Sequence, residues 1–139
     1  MKNLYSPKNI WLCLSLILLV PVIGIAAEAA IQNISAEMSA DLIEKYRSNP
    51  DFVILDIRTP AEFEAGHIAG AHMLDFYSKS FANDFSRLDP GKIYLIYCRS
   101  GNRSGQLMKA IRELGFEMIY NMERGLVDWV GQGYELTTS

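Results

Sequence analysis

The sequence predicts one α/β domain with a mostly parallel central sheet and helices on both faces. Short apolar runs alternate with segments of helical periodicity across residues 34–136, a succession that is typical of parallel sheets. The run at 52–55 is apolar at every position, as expected for a strand that is covered on both faces. The 110 residues that follow position 29 are enough for one such domain with one core.

The first predicted helix begins after Ser35, a residue type that suits the N-cap position. Met38, Leu42 and Tyr46 recur at helical spacing, so we expect them to form the buried face of this helix. The Asn-Pro-Asp sequence at 49–51 should end the helix before the strand at 52–55.

A short helix capped by Thr59 is predicted after that strand. Pro60 suits the first position of this helix, and Glu62 lies in its first turn. We interpret Glu62 and Glu64 as a solvated helix face.

The rest of the domain continues the alternation of strands and helices. The predicted elements are a strand at 71–74, a helix at 78–88, a strand at 92–97, a helix at 104–114, a strand at 117–120 and a helix at 123–131. The helix at 104–114 should bury Leu107, Ile111 and Leu114 and end at Gly115. The last helix should bury Leu126, Val127 and Val130.

Cys98 lies between the strand at 92–97 and the helix predicted at 104–114. Parallel α/β sheets bind ligands beyond the carboxyl ends of their strands, and both Asp56 and Cys98 fall at such ends. At a helix N-terminus, backbone N–H groups and the helix dipole favour negative charge. Because the thiolate is the reactive form of cysteine, this placement predicts a nucleophilic Cys98 with a lowered pKa.

Residues 1–29 have the layout of a secretory signal peptide. Two lysines precede an apolar run at 10–27, and small residues suit cleavage after Ala27 or Ala29. The run is at the lower limit for a bilayer span, so an uncleaved membrane anchor is the alternative. We therefore expect an exported, periplasmic protein, which is attached to the membrane only if this segment is retained.

Charge and cysteine content argue against several classes of function. Without residues 1–29, 11 Lys and Arg stand against 15 Asp and Glu, which argues against nucleic acid as a partner. Cys98 is then the only cysteine, so a thioredoxin-like mechanism would lack its second thiol. His67 and His72 have no carboxylate pair arranged around them, so we expect no metal site and no cofactor.

Three blocks of sequence carry distinctive motifs. The block at 54–71 contains an aspartate, an arginine, a Glu-Phe pair and the sequence Gly-His-Ile-Ala-Gly-Ala. This block resembles the first signature of the rhodanese family of sulfurtransferases. The block at 98–104 is similar to the active-site loop of that family, and the block at 125–134 to its closing segment. Their order and spacing extend the resemblance over residues 34–136, which implies a rhodanese-like domain.

The resemblance implies a sulfurtransferase mechanism with Cys98 as the catalytic residue. A donor such as thiosulfate gives its outer sulfur to the thiolate, and cyanide or a thiol then removes it from the persulfide. The implied active-site loop that binds the substrate consists of Arg99, Ser100, Gly101, Asn102, Arg103 and Ser104. Arg103 is expected to meet the departing sulfite, and Arg99 to attract thiosulfate. The implied partners are a small sulfur donor and acceptor, with a thiol protein as a further acceptor, and the expected state is a monomer.

Other residues in these blocks are given supporting or structural roles. Asp56 and Arg58 are interpreted as a pair that fixes the loops beside the site, and His67 as a structural hydrogen-bonding group. Trp129 is expected in the core. Arg124 departs from the pair of glycines that many family members have, and we expect this change to affect only a turn.

Two other functions remain open at this point. A sulfane-sulfur carrier with little turnover on thiosulfate would use the same cysteine. A cysteine phosphatase or arsenate reductase is the more remote alternative, because related folds with that chemistry place arginine six positions after the cysteine. Here the arginine lies five positions after it, at Arg103.

Overall fold

The computed structural model describes residues 30–138. In chain order the elements are β1 (Ala30–Ile34), α1 (Ala36–Lys45), β2 (Phe52–Asp56), α2 (Pro60–Glu64), β3 (His72–Met73), α3 (Phe81–Ser86), β4 (Ile93–Tyr97), α4 (Asn102–Ala110), β5 (Met118–Met122) and α5 (Gly125–Gly131).

The five strands form one sheet in the order β1-β5-β4-β2-β3, and every neighbouring pair is parallel. β4 lies at the centre, between β5 and β2. Each parallel connection requires a crossover, and helices provide these crossovers. The predicted α/β fold with a mostly parallel sheet is therefore confirmed.

Helices cover both faces of the sheet. Successive side chains of a strand point to opposite faces, so each central strand contributes to two hydrophobic clusters. Tyr94 and Ile96 of β4 lie in one hydrophobic cluster with residues of α3 and α4. Leu95 and Tyr97 lie in the other cluster, with residues of α1 and α5. This two-sided burial is why the strand runs are apolar at successive positions.

Two predicted helix starts are confirmed. The Ser35 hydroxyl accepts a hydrogen bond from the Met38 N–H at 3.2 Å and caps α1. Thr59 and Glu62 form a capping box at the start of α2, with Pro60 at the first helical position.

The strand β1 is an element that the sequence pattern does not predict. It is an edge strand that pairs only with β5, and Ile34 is its one fully buried residue. A strand with so little apolar burial gives only a weak periodic signal. As a result, the first strand of the sheet begins at Ala30, four residues before the position at which we expected the domain to start.

The helix α3 is shorter than the predicted segment 78–88. Ser80 donates its backbone N–H to the Ser78 hydroxyl at 3.2 Å, and the two hydroxyls lie 2.9 Å apart. Serine side chains compete in this way with helical hydrogen bonding, so the helix begins only at Phe81.

The predicted end of α4 is also wrong. The helix ends at Ala110 with Ile111 as its C-cap, so Gly115 is not the capping residue. Leu114 is exposed rather than buried, because the chain turns after Ile111 and buries Phe116 instead.

The predicted buried faces of α1 and α5 are wrong in part. Met38 is exposed, and Ala36, Ser39 and Leu42 are buried. Val127 and Val130 are exposed, whereas Leu126 and Trp129 pack into the core as predicted for them. In helices of ten and seven residues, more than one apolar stripe is available, and the sequence alone does not tell which one faces the sheet.

The predicted signal peptide or membrane anchor at 1–29 lies outside the described residues. Across 30–138, none of the helices combines the length and the apolar character that a membrane span requires.

Candidate active site

The site is built where two neighbouring strands end. β2 and β4 are parallel and paired in register, with Asp56 opposite Tyr97. Cys98 directly follows β4, so the acidic residue and the thiol lie at the same edge of the sheet. This edge is the position at which open parallel sheets bind ligands.

The loop after Cys98 folds around its sulfur. The Gly101 N–H donates a hydrogen bond to Cys98 Sγ at 3.1 Å, and Sγ lies 3.7 Å from the Ser104 hydroxyl. Gly101 is the N-cap of α4 and has a φ of +88°, in the left-handed region that favours glycine. The thiol is thus held at the N-terminus of a nine-residue helix.

Two opposing effects set the acidity of this thiol. Burial raises the pKa of Cys98, whose side chain is 1% exposed, because it disfavours the charged form. Hydrogen bonds from the backbone of Ser100, Gly101 and Ser104 and from the Ser104 hydroxyl favour the thiolate. The hydrogen bonds outweigh burial, and the pKa of Cys98 lies below its ordinary value.

Two glycines lock the loop against the start of α5. A Cβ atom at Gly101 would overlap the carbonyl oxygen of Glu123, and one at Gly125 would lie 2.5 Å from the Cys98 carbonyl oxygen. The Leu126 N–H donates to the Cys98 carbonyl at 2.9 Å, which connects α5 to the loop.

Arg124 is the residue that departs from the pair of glycines noted in the sequence. Its side chain is exposed and lies 3.6 Å from Asp128.

Arg103 is held by a carboxylate from α2. Its two terminal nitrogens donate to the two Glu62 oxygens, each at 2.8 Å. The interpretation of Glu62 as a solvated residue is therefore wrong, whereas Glu64 is exposed as expected. Arg103 also lies over the Tyr77 ring, at 5.5 Å from its centroid.

This ion pair changes the expected role of Arg103. The planar guanidinium fork suits a carboxylate as well as it suits an oxyanion, and here Glu62 occupies it. A contact between Arg103 and departing sulfite stays a prediction, and it would have to use the N–H groups that Glu62 leaves free.

Asp56 and Arg58 form a buried ion pair beside the loop. Arg58 donates to both Asp56 oxygens, at 2.9 Å and 2.6 Å, and to the Gly66 carbonyl at 2.7 Å. The Tyr97 hydroxyl accepts from the Ile68 N–H at 3.1 Å, and burial next to Asp56 raises its pKa. These bonds join the end of β2 to the Gly-His-Ile turn. Asp56 and Arg58 thus form the ion pair that the sequence predicts beside the loop.

The remaining loop residues face solvent. Arg99, Ser100 and Asn102 are exposed, and Asn102 accepts a hydrogen bond from Gln106 at 2.6 Å. An open cavity of about 440 Å³ lies beside the loop. Its lining combines charged and apolar side chains: Arg58, Glu62, Ala65, Arg99, Leu126, Val127 and Val130.

His67 and Trp129 have the structural roles that the sequence predicts. His67 Nδ1 lies 2.9 Å from the Phe63 carbonyl, and its backbone pairs with Thr137 near the C-terminus. Trp129 is buried and donates its indole N–H to the Glu135 carbonyl at 3.0 Å.

Sequence reasoning missed Glu62 and Tyr97 as part of the site. For Glu62, the capping box with Thr59 was the available signal, because it fixes the position of the carboxylate in the first turn of α2. No comparable local signal marks Tyr97, whose hydroxyl contacts a residue 29 positions earlier in the chain.

No group of three or more His, Cys, Asp or Glu side chains arranged to hold a metal ion is found within residues 30–138. The polar groups next to Cys98 Sγ are instead the Gly101 N–H and the Ser104 hydroxyl. Such donors stabilise anions rather than cations.

Fold and site together define a parallel α/β protein with an activated cysteine in a loop between a strand and a helix. The family model for the rhodanese-like domain matches residues 39–132. The chain belongs to this family of rhodanese-like domains, in agreement with the resemblance noted above.

Two named sulfurtransferases are among the similar proteins. A thiosulfate sulfurtransferase GlpE of Pseudoalteromonas translucida is 31% identical over 100 residues, which cover 72% of this chain and 90% of that protein. A sulfurtransferase of Allochromatium vinosum is 30% identical over 95 residues, which cover 68% and 87%. These relatives support sulfur transfer at the level of the family.

Other matches are to proteins of which the matched region covers a smaller share, and to solved structures. The matched region spans 50% of an uncharacterized protein of Synechocystis, at 33% identity, and 61% of the uncharacterized YqhL of Bacillus subtilis, at 34%. A rhodanese-related protein of Thermoplasma volcanium has a TM-score of 0.64 at 27% identity, with 78% of this chain and 99% of that chain covered.

Proposed function

We propose that this protein transfers sulfane sulfur from thiosulfate or a related donor to a thiophilic acceptor through a persulfide on Cys98. The observation that carries the proposal is the loop around Cys98 Sγ, in which N–H and hydroxyl donors lower the thiol pKa in spite of burial. The named sulfurtransferases among its relatives support the same chemistry.

The proposed reaction has two steps. The Cys98 thiolate attacks the outer sulfur of thiosulfate, a new S–S bond forms, and sulfite leaves with the electron pair of the broken bond. An acceptor such as cyanide or a thiolate then attacks the outer sulfur of the persulfide and restores the Cys98 thiolate. Because the enzyme carries the sulfur between two half-reactions, ping-pong kinetics are expected.

The loop stabilises the charge in both steps. The N–H donors that face Cys98 Sγ in the free enzyme are also the closest donors to an anionic persulfide sulfur. They are fixed before the reaction starts, and such preorganised donors stabilise a developing anion well. Arg99, exposed at the border of the cavity, is the guanidinium available to attract an anionic donor.

The loop length favours this reaction over phosphate-ester or arsenate chemistry. Arg103 follows Cys98 by five positions rather than six, and its guanidinium fork is already occupied by Glu62. A phosphate would need this fork for its oxygens.

The experiment is a turnover assay with thiosulfate and cyanide on the protein and on Cys98→Ser. We expect release of sulfite and thiocyanate, with parallel double-reciprocal plots when cyanide is varied at several thiosulfate concentrations, and no release from Cys98→Ser. Absence of turnover from the unmodified protein would contradict thiosulfate as donor. The carrier alternative would then be favoured if polysulfide still loads sulfur onto Cys98.

A further inference from the structure

We propose that Glu62 is a specificity-determining residue for the sulfur donor, because it occupies Arg103 and places a carboxylate at the entrance to the site, which disfavours doubly charged donors. The inference rests on the proposed function, since it concerns the donor used by the same Cys98.

The geometry shows how Glu62 controls Arg103. Both carboxylate oxygens accept from the guanidinium at 2.8 Å, and the two side chains are only 29% and 11% exposed. The Thr59 N–H and hydroxyl also donate to Glu62, at 3.1 Å and 3.0 Å, so the carboxylate is fixed from both sides. A donor that reaches this point meets a neutralised pair instead of a free guanidinium.

The charges around the loop leave one cation unpaired. Arg58 is bound by Asp56, and Arg103 by Glu62. Arg99 makes no ion pair with any residue of the described segment 30–138. Glu62 and Arg99 line the same cavity, so an entering donor faces the unpaired Arg99 together with a carboxylate whose charge Arg103 balances.

Glu62 stays ionised at every pH at which the Cys98 thiol can react. Hydrogen bonding to Arg103 lowers the pKa of Glu62 to about 2. The pKa of Arg103 is raised, chiefly by its hydrogen bonds to Glu62. The negative charge of the Cys98 thiolate makes a smaller contribution, so Arg103 lies close to the reacting thiol. Glu62 and Arg103 therefore stay a charged pair near the reacting sulfur, and the positive charge of Arg103 is not available to a donor.

Two donors of the same chemistry but different charge test this arrangement. Thiosulfate carries two negative charges and releases sulfite. Methanethiosulfonate, in which a methyl group replaces one charged oxygen, carries one negative charge and releases methanesulfinate. In both cases the thiolate attacks the outer sulfur, the S–S bond of the donor breaks, and the leaving group takes the electron pair.

The experiment compares Glu62→Gln with Glu64→Gln in the full chain. Glutamine can keep the capping box with Thr59, and Glu64 is an exposed carboxylate on the same helix, so both variants lose the same formal charge. The readout is the ratio of kcat/KM for thiosulfate to kcat/KM for methanethiosulfonate. Intact-mass spectrometry of the persulfide accompanies each assay.

We expect Glu62→Gln to raise this ratio by about fivefold, the order of magnitude for one unit charge in a partly solvated site. Glu64→Gln should leave the ratio unchanged. If Glu62→Gln slows both donors equally, or leaves the ratio unchanged while persulfide still forms, Glu62 has no role in selecting the donor. If the unmodified protein forms no persulfide with either donor, the proposed function fails instead.

Discussion

At the scale of single residues, the buried pair of Asp56 and Arg58 shows how charge is placed next to a reactive thiol. Asp56 is fully buried and Arg58 nearly so, and several hydrogen bonds satisfy both groups. Such a pair adds little net stability compared with apolar residues, but it is costly to break, because one charge is then left buried without its partner.

We therefore predict that Asp56→Asn destabilises the protein by about 3 kcal/mol. The matched control is Glu44→Gln, which breaks the ion pair between Glu44 and Arg47, where both side chains are 75% exposed. That change should cost less than about 0.5 kcal/mol, because exposed ion pairs contribute little. Urea unfolding of the three proteins measures both values, and equal losses from the two variants would contradict this interpretation of the buried pair.

At the scale of elements, the active-site loop depends on its fit against α5. Gly101 and Gly125 both have positive φ, and each lies against backbone atoms of the other's segment. No flexible side chain can move aside to make room at these contacts. The sequence indicates a tight loop at Gly101. The close approach of Gly101 to residue 123, however, is a property of the fold.

Gly101→Ala should destabilise the protein by at least about 2 kcal/mol and abolish sulfur transfer, because the new Cβ overlaps a carbonyl at an unfavourable φ. Gly105→Ala is the matched control within α4. It has open space around its Cβ position, so it should stabilise the protein by up to about 1 kcal/mol. Thermal unfolding together with the turnover assay checks both; an active, stable Gly101→Ala protein would contradict the described fit.

The ion pair that joins α2 to α4 predicts a dependence of stability on pH. The pKa of Glu62 falls from 4.5 to about 2 on folding, so its contribution is complete above pH 4.5 and is lost as pH falls toward 2. The free energy of unfolding should therefore drop less steeply in Glu62→Gln than in the unmodified protein over this range. Parallel curves for the two proteins in urea titrations at several pH values would contradict the linkage.

Local features of the site were predictable, and contacts between distant segments were not. Cys98 and its N–H donors lie within seven residues at a strand-to-helix junction, so the sequence alone indicates an anion-stabilising loop. The partner of Arg103 lies 41 positions away and is known only once α2 packs beside α4. The valines of α5 were misplaced because apolar residues that border a cavity have the same pattern as residues of a core.

At the scale of the whole molecule, the fold brings all these parts to one edge of a parallel sheet. β2 supplies the buried ion pair, β4 supplies the thiol, and α2, α4 and α5 enclose the loop. The parallel strands have apolar runs that are covered on both faces, which is why the fold class was predictable from sequence, whereas the order of the strands was not. The monomeric state stays a prediction.

Export is a proposal that belongs to this scale as well. If residues 1–29 are a signal peptide, the protein expressed with its own N-terminus should be found in the periplasm, with a mass that corresponds to cleavage after Ala27 or Ala29. A full-length mass in the membrane fraction would favour the anchor. A full-length mass in the cytoplasm would contradict both.

The central claim is that Cys98 carries the sulfur, and intact-mass spectrometry before and after thiosulfate tests it most directly. The account predicts a species heavier by one sulfur atom, which is lost on addition of cyanide and is absent from Cys98→Ser. The contradicting result is a Cys98 that reacts rapidly with alkylating agents but gains no sulfur from thiosulfate, methanethiosulfonate or polysulfide.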